Sequence, residues 1–271
     1  MWLKAMDIPV GAPTDEKEHV VINRTKMITM AIVALFAISV VASAAAQAAE
    51  GPSITVEVKA KETKRLGAGE TRNIVVKAFS SKFLLEDSTN VYTAECTTLA
   101  VKNGVLLGAA AGTDPTSDEI LEFSSCKGKE GTKACTIGTI TTKPLKNELV
   151  EAVDKTTGLT LFKPETGKIF AEYTETGCVT PVKVEGEEVA EGYFDEEGTK
   201  GVAITLSTAK LPKKSWILKT LKSPPNTVIK YSGGTAETKA VKPFEVLATP
   251  ATLEGEALIE LASGEKWSPL A

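Results

Sequence analysis

Histidine is nearly missing from this 271-residue chain: the single one, His19, lies ahead of an apolar segment of the export type. Once that segment is removed none is left, and histidine is both the side chain that titrates nearest neutrality and the commonest metal ligand. Ser-His-Asp and Cys-His catalysis and His-ligated zinc are thereby excluded, which leaves carboxylates, lysine, tyrosine or bound calcium for any chemistry. Other signatures are missing too. There is no C-x-x-C pair, no G-x-S-x-G, no phosphate-binding loop and no dinucleotide fingerprint. No long amphipathic helix, internal repeat or low-complexity tail occurs, and a net charge of only −4 argues against nucleic acid as a partner.

What is present begins with a secretory signal. Residues 23–26 supply a positive end, residues 27–41 an apolar core and residues 42–48 small side chains at a cleavage site, in the order export requires. An uncleaved anchor is the rival, since a bilayer span takes about 20 apolar residues, but the last third of this run is alanine and serine. Residues 27–48 are therefore expected to form a signal helix cleaved after Ala48, and residues 49–271 the secreted domain. Residues 1–26 carry Asp7, Asp15, Glu16 and Glu18, unlike a positive signal end. They are expected to be disordered, or to result from a start placed too early, with an unusually long leader as the alternative. Asn23-Arg24-Thr25 fits a glycosylation acceptor but precedes the cleavage site. With no leader cysteine for acylation and no sorting motif at Trp267-Ser268-Pro269-Leu270-Ala271, the mature chain is expected outside the cell. It would be released or held only by binding, and meet the membrane only through the signal before cleavage.

Four cysteines remain: Cys96, Cys126, Cys135 and Cys178. In an exported chain an even count indicates two disulfides, with three possible connectivities. The polar, glycine-marked residues 127–134 suggest a hairpin neck stapled by Cys126 and Cys135, which leaves Cys96 to join Cys178 across a long loop. A zinc site is the minor alternative; no metal and no cofactor is expected.

Residues 54–60 alternate apolar and polar side chains, the period of a strand with one buried face. Residues 72–79, 91–96, 101–107, 120–125, 135–141, 159–162, 168–173, 179–184, 202–206, 228–231 and 253–261 are similarly β-branched or aromatic, and glycine or proline turns separate them. Residues 145–153 are the best helix candidate but fit a strand equally well. The fold class expected is all-β, an antiparallel β-sandwich or barrel of many short strands, with a possible sub-boundary near residues 211–226.

Candidate sites are few. Asp114, Asp118 and Glu119 lie in a glycine-proline loop and could ligate calcium through oxygen, although the spacing is not that of an EF-hand. Asp195-Glu196-Glu197 is weaker, because consecutive acids point different ways. Glu95, Glu122, Glu172 and Glu175 sit in or near strands, where a facing pair would suit glycoside hydrolysis. Lys213, Lys214, Trp216, Lys219 and Lys222 form one basic segment with an aromatic inside it, fit either for an anionic polymer or for an ordinary half-buried strand. Trp267 is expected to plug the core.

Taken in order, Gly69-Glu70-Thr71-Arg72, Glu95-Cys96, residues 108–114, residues 121–126, residues 135–140, Thr142-Lys143-Pro144-Leu145, Leu161-Phe162-Lys163-Pro164, Gly177-Cys178, Val184-Glu185-Gly186 and residues 255–269 resemble a group of uncharacterised exported proteins of high-GC soil actinobacteria. The likeness spans most of the mature chain, but its motifs are turns and cysteines. The ending departs from it, with Ser268-Pro269 where a small-aliphatic pair is usual. The resemblance implies a secreted β-rich, cysteine-paired fold and carries no activity. The chain is thus expected to be a secreted non-enzymatic β protein engaged in surface or matrix interaction or ligand binding, its partner a cell-surface or extracellular polymer. A histidine-independent polysaccharide hydrolase and a lipocalin-like small-ligand carrier, recognised by an apolar cavity inside one closed barrel, are the alternatives.

Overall fold

The computed structural model describes residues 51–59, 62–154, 157–178, 181–196, 198–204 and 212–270. The expected signal helix at 27–48, the extension at 1–26 and Glu197 lie outside the described residues. Within them the chain is strand throughout, with no helix: β1 (Ser53–Lys59), β2 (Glu62–Arg65), β3 (Thr71–Ala78), β4 (Phe83–Asp87), β5 (Tyr92–Leu107), β6 (Thr116–Glu130), β7 (Lys133–Ile137), β8 (Ile140–Thr141), β9 (Leu145–Glu151), β10 (Gly158–Phe162) and β11 (Ile169–Tyr173). There follow β12 (Glu175–Thr176), β13 (Val182–Glu185), β14 (Glu188–Glu196), β15 (Thr199–Ala203), β16 (Ser215–Thr220), β17 (Thr227–Ser232), β18 (Thr235–Ala240), β19 (Glu245–Val246), β20 (Thr249–Glu254), β21 (Glu256–Leu261) and β22 (Trp267–Leu270). Of the two architectures the sequence allows, the barrel is the one that forms. Eight strands close it in the order β3, β5, β6, β9, β10, β14, β16, β21 and back to β3, every pairing antiparallel.

The long hairpin β5–β6 serves two rings. Its turn end belongs to the barrel, while towards its open end Cys96 and its neighbours pair with β4 and Phe123 pairs with β8. From β4 a second ring runs through β20, β19, β13 and β11 and returns to β6 by a bridge from Ala171 to Thr142, next to β8. Inside, one apolar cluster is continuous from Ile74, Leu121 and Trp216 to Phe170, Val184 and Phe244. A smaller cluster of Val150, Leu159, Leu161, Val189 and Val228 lies between the barrel's outer face and the hairpin β17–β18.

The residues expected as a helix candidate are strand β9, hydrogen-bonded to both β6 and β10. Tertiary pairing decides this segment, because both of its faces are buried: Leu145 and Asn147 on one, Glu148 and Val150 on the other. Residue 211, at the start of the expected sub-boundary, lies outside the described residues; the strands beyond that segment, β17 and β21, pair with β9 and β3 of the barrel.

The disulfides join Cys96 to Cys126 and Cys135 to Cys178, which corrects the pairing of Cys126 with Cys135 and of Cys96 with Cys178. Strand register is the reason. Cys96 and Cys126 face each other directly across β5–β6. In β6–β7 the turn sets Cys135 opposite Gly128, not Cys126, and β12 brings Cys178 alongside β7.

One end of the barrel is covered by the three-stranded sheet β2–β1–β22. Ile54, Val56, Leu66 and Trp267 from this sheet and its outgoing chain are buried. Trp267 is further fixed by its backbone pairing with Lys213 and by the indole N–H of Trp216, which donates to its carbonyl at 2.8 Å.

Candidate functional site: the barrel lumen

Alternation along the barrel strands turns one set of side chains inward. Ile74, Leu106, Phe162, Trp216, Leu218 and Ile259 line a cavity of about 60 Å³, which Ile54, Trp267 and Pro269 of the covering sheet close at one end. A second cavity of about 50 Å³ continues it towards Phe83, Leu99, Phe123 and Phe170, and the two share Glu119, Phe162, Leu218 and Ile259. A third, of about 30 Å³, lies in the second ring around Phe170 and Phe244. The lumen wall is therefore largely hydrocarbon, with polar groups at a few fixed points.

Glu119 is the first of these, turned inward on β6 two residues before Leu121. Burial pushes its carboxyl up to about 7, against a hydrogen bond from Asn147 that favours the ionised form. Asn147 is 1% exposed and its amide donates to Ser117 Oγ at 3.1 Å, while its Oδ1 has no protein partner. Nε1 of Trp267 is likewise buried without a protein partner. Glu188, which lines the second cavity together with Glu119, is pushed up to about 8 by burial, opposed by hydrogen bonds from the backbone N–H groups of Val189 and Leu253. An acceptor, a donor and two carboxyls that hold their protons near neutrality thus border a mainly apolar space. Such a wall suits a small apolar molecule with one hydrogen-bonding group.

The other expected site residues do not converge. Asp118 points outward beside inward Glu119, and Asp114 accepts the backbone N–H of Tyr231 at 2.9 Å, with burial raising its carboxyl to about 7. Neighbouring positions on a strand face opposite ways, so these three acids form no common cage. Glu95 lies between Lys82 and Lys127 at 3.1 and 3.0 Å; Glu122 pairs with Lys102, and Glu172 is exposed. Glu175 is buried, 3.2 Å from the hydroxyl of Tyr92, whose own hydroxyl lies 2.5 Å from that of Tyr173. It also sits beside Cys135 and Cys178, but those sulfurs are committed to each other and offer no thiolate. Asp195 accepts from the hydroxyl of Ser215 and the backbone N–H of Gly198.

The basic segment is dispersed as well. Trp216 is 1% exposed, the Lys213 ammonium lies over the ring of Phe194 at 5.8 Å, and Lys222 pairs with Glu254 at 2.8 Å. Trp267 is buried, and with Trp216 it belongs to the lumen wall. Sequence reasoning missed Glu188 and Asn147. Asn147 stands between Lys146 and Glu148, and Glu188 follows Glu187, so neither carried a signal. The chain matches no protein-family model, no curated protein and no solved structure. Among the described residues no helix is long and apolar enough to cross a membrane.

Proposed function

We propose that the protein is an exported, non-enzymatic ligand-binding barrel whose lumen takes up a small, mainly apolar molecule carrying one hydrogen-bonding group. The observation behind this is the apolar lumen of a closed eight-stranded barrel in which Asn147 Oδ1 and Trp267 Nε1 lack protein partners. Its two adjoining larger cavities, about 60 and 50 Å³, together fall short of the roughly 150 Å³ apolar void known to take up benzene or xenon and lie well under the 300 Å³ or more of a drug-sized site, which limits the ligand to a small molecule. Two disulfides accord with an oxidising compartment outside the cytosol.

Glu119 and Glu188 on one cavity are the observation that favours a hydrolase instead. A glycosidase, however, needs its two carboxyls driven apart in acidity, one protonated and one ionised. Here burial drives both upward rather than apart.

Trp216 and Trp267 both line the lumen, so intrinsic fluorescence reports on it directly. Titration of the mature protein with benzene, phenol and cyclohexanol is expected to give saturable emission changes, with phenol bound more tightly than benzene. No saturable change with any of the three would refute the carrier reading, and turnover of a glycan panel that is abolished in Glu119→Gln would establish the hydrolase.

A further inference from the structure

Away from the lumen, a polar cleft of about 300 Å³ opens where connections cross from one ring to the other. Lys163 follows β10, Lys168 precedes β11, Gly186 and Glu187 link β13 to β14, and Lys239 and Lys242 lie on and just after β18. Gly186 shapes the wall: its φ is +101°, and a Cβ there would stand 1.9 Å from the carbonyl oxygen of Pro243. One buried carboxylate, Glu187, lines the cleft, and a second, Glu148, lies behind its lysines. Glu148 binds Lys163 and Lys230, the latter at 2.9 Å, and has Lys239 at 3.9 Å. Glu187 has Lys239 at 3.3 Å and Lys242 at 3.9 Å, and accepts the backbone N–H of Lys242 at 3.1 Å.

Four ammonium groups, on Lys163, Lys230, Lys239 and Lys242, therefore share two carboxylates. Lys168 is neutralised locally by Glu185 at 2.6 Å, and Glu165 stands exposed on the rim. The Lys239 ammonium is held below its ordinary value, by burial first and by the like charge of Lys163 as well, despite its two acidic neighbours. Several lysines therefore crowd one partly buried place. Strand β18 and the buried acids hold those lysines in place, so an incoming anion finds them already gathered.

We propose that this cleft binds a dianionic oxyanion, a phosphate or sulfate group, seated among Lys163, Lys239 and Lys242. Of the charged side chains that line the cleft, Lys163, Lys168, Lys239 and Lys242 outnumber Glu165 and Glu187, and lysine serves such groups as a point charge. The volume also leaves room for a substituent, so a free and an esterified group both fit. This site stands independently of the lumen.

The test is calorimetric titration of the mature protein with inorganic phosphate, sulfate and phenyl phosphate at low ionic strength against a chloride blank. Saturable uptake that weakens with added salt is expected. Lys242→Gln, a change at a side chain 63% exposed and compatible with folding, is expected to weaken it about tenfold. Lys239→Gln, with circular dichroism to confirm folding, is expected to do the same. Lys64→Gln, whose native side chain pairs with Glu70 in another part of the chain, serves as the unaffected control. Tighter binding of phenyl phosphate than of phosphate assigns the site to an esterified group, and equal or weaker binding to the free ion. Absence of saturable heat with every anion, or unchanged affinity in folded Lys242→Gln, overturns the proposal.

Discussion

Glu188 and Glu119 make the barrel's stability depend on pH in an unusual direction. Most acids that matter to a fold are held ionised, but burial raises these two from an ordinary 4.5 to about 8 and about 7. Between 4.5 and those values the unfolded chain has released protons that the folded chain retains, so stability falls as pH rises. Their contribution is complete below about 4.5 and lost above about 8. At Glu188, only 2% exposed, the shift corresponds to roughly 5 kcal/mol. Glu148 runs the other way: burial raises it, but hydrogen bonds from Lys163 and Lys230 outweigh that and hold it low, so its contribution fails in acid. Urea unfolding is therefore expected to show greatest stability near pH 5 and a decline towards pH 9. Glu188→Gln is expected to flatten that decline and to raise stability at pH 8 by about 2 to 3 kcal/mol; an unchanged pH profile in that variant would contradict the assignment. Part of this was legible in the sequence. Glu119 alternates with Leu121 and Phe123 and could have been placed inward, had the strand expected at 120–125 been begun a few residues earlier. Glu188 alternates only with Ala190 and Gly192, small residues that mark no face.

At the level of elements, strands were legible and their partners were not. Period-2 alternation identifies β1, β3, β6 and β21 from local sequence; in β3, β6 and β21 one face is the more buried, whereas residues 53–56 of β1 are buried on both. Strand β9 shows no such alternation since both faces are covered, and its identity depends on its pairing with β6 and β10 on either side. The cysteines teach the same lesson: sequence proximity favoured Cys126 with Cys135, whereas register across β5–β6 opposes Cys96 to Cys126. Peptide mapping without reduction is expected to recover Cys96–Cys126 and Cys135–Cys178, and a Cys126–Cys135 peptide would show the β6–β7 register to be wrong. With partners 30 and 43 residues apart in sequence, each bridge is worth about 4 kcal/mol on the chain-entropy model. Close backbone approach fixes another element boundary. A Cβ on Gly108 would lie 2.3 Å from the carbonyl oxygen of Gly67 and 2.4 Å from that of Leu66, where the chain leaves the covering sheet. Backbone cannot rotate away as a side chain can. Gly108→Ala is therefore expected to cost more than about 2 kcal/mol in chemical denaturation, whereas Gly131→Ala, whose Cβ meets nothing within 4 Å, loses only the advantage of glycine at positive φ.

For the whole molecule, the covering sheet is joined to the barrel in a different way from how the barrel is joined to itself. Strands β1, β2 and β22 pair with one another, and their link to the barrel is by inserted side chains and the short contact of Lys213 with Trp267. The lumen can therefore be altered from this end without breaking the eight-strand ring. Replacing the buried indole of Trp267 by alanine removes a wall of the first cavity, at a cost of about 3 to 5 kcal/mol. A ligand that refills the space returns part of that loss by mass action, about 2.7 kcal/mol at a hundredfold excess over its Kd. Trp267→Ala is accordingly expected to melt well below the parent protein, to accept indole where the parent prefers benzene-sized molecules, and to regain thermal stability as indole is added. Trp216, on β16 of the intact ring, remains as the optical reporter. A melting temperature in Trp267→Ala that does not respond to indole, or that responds equally in the parent, would place the binding space somewhere other than behind this sheet.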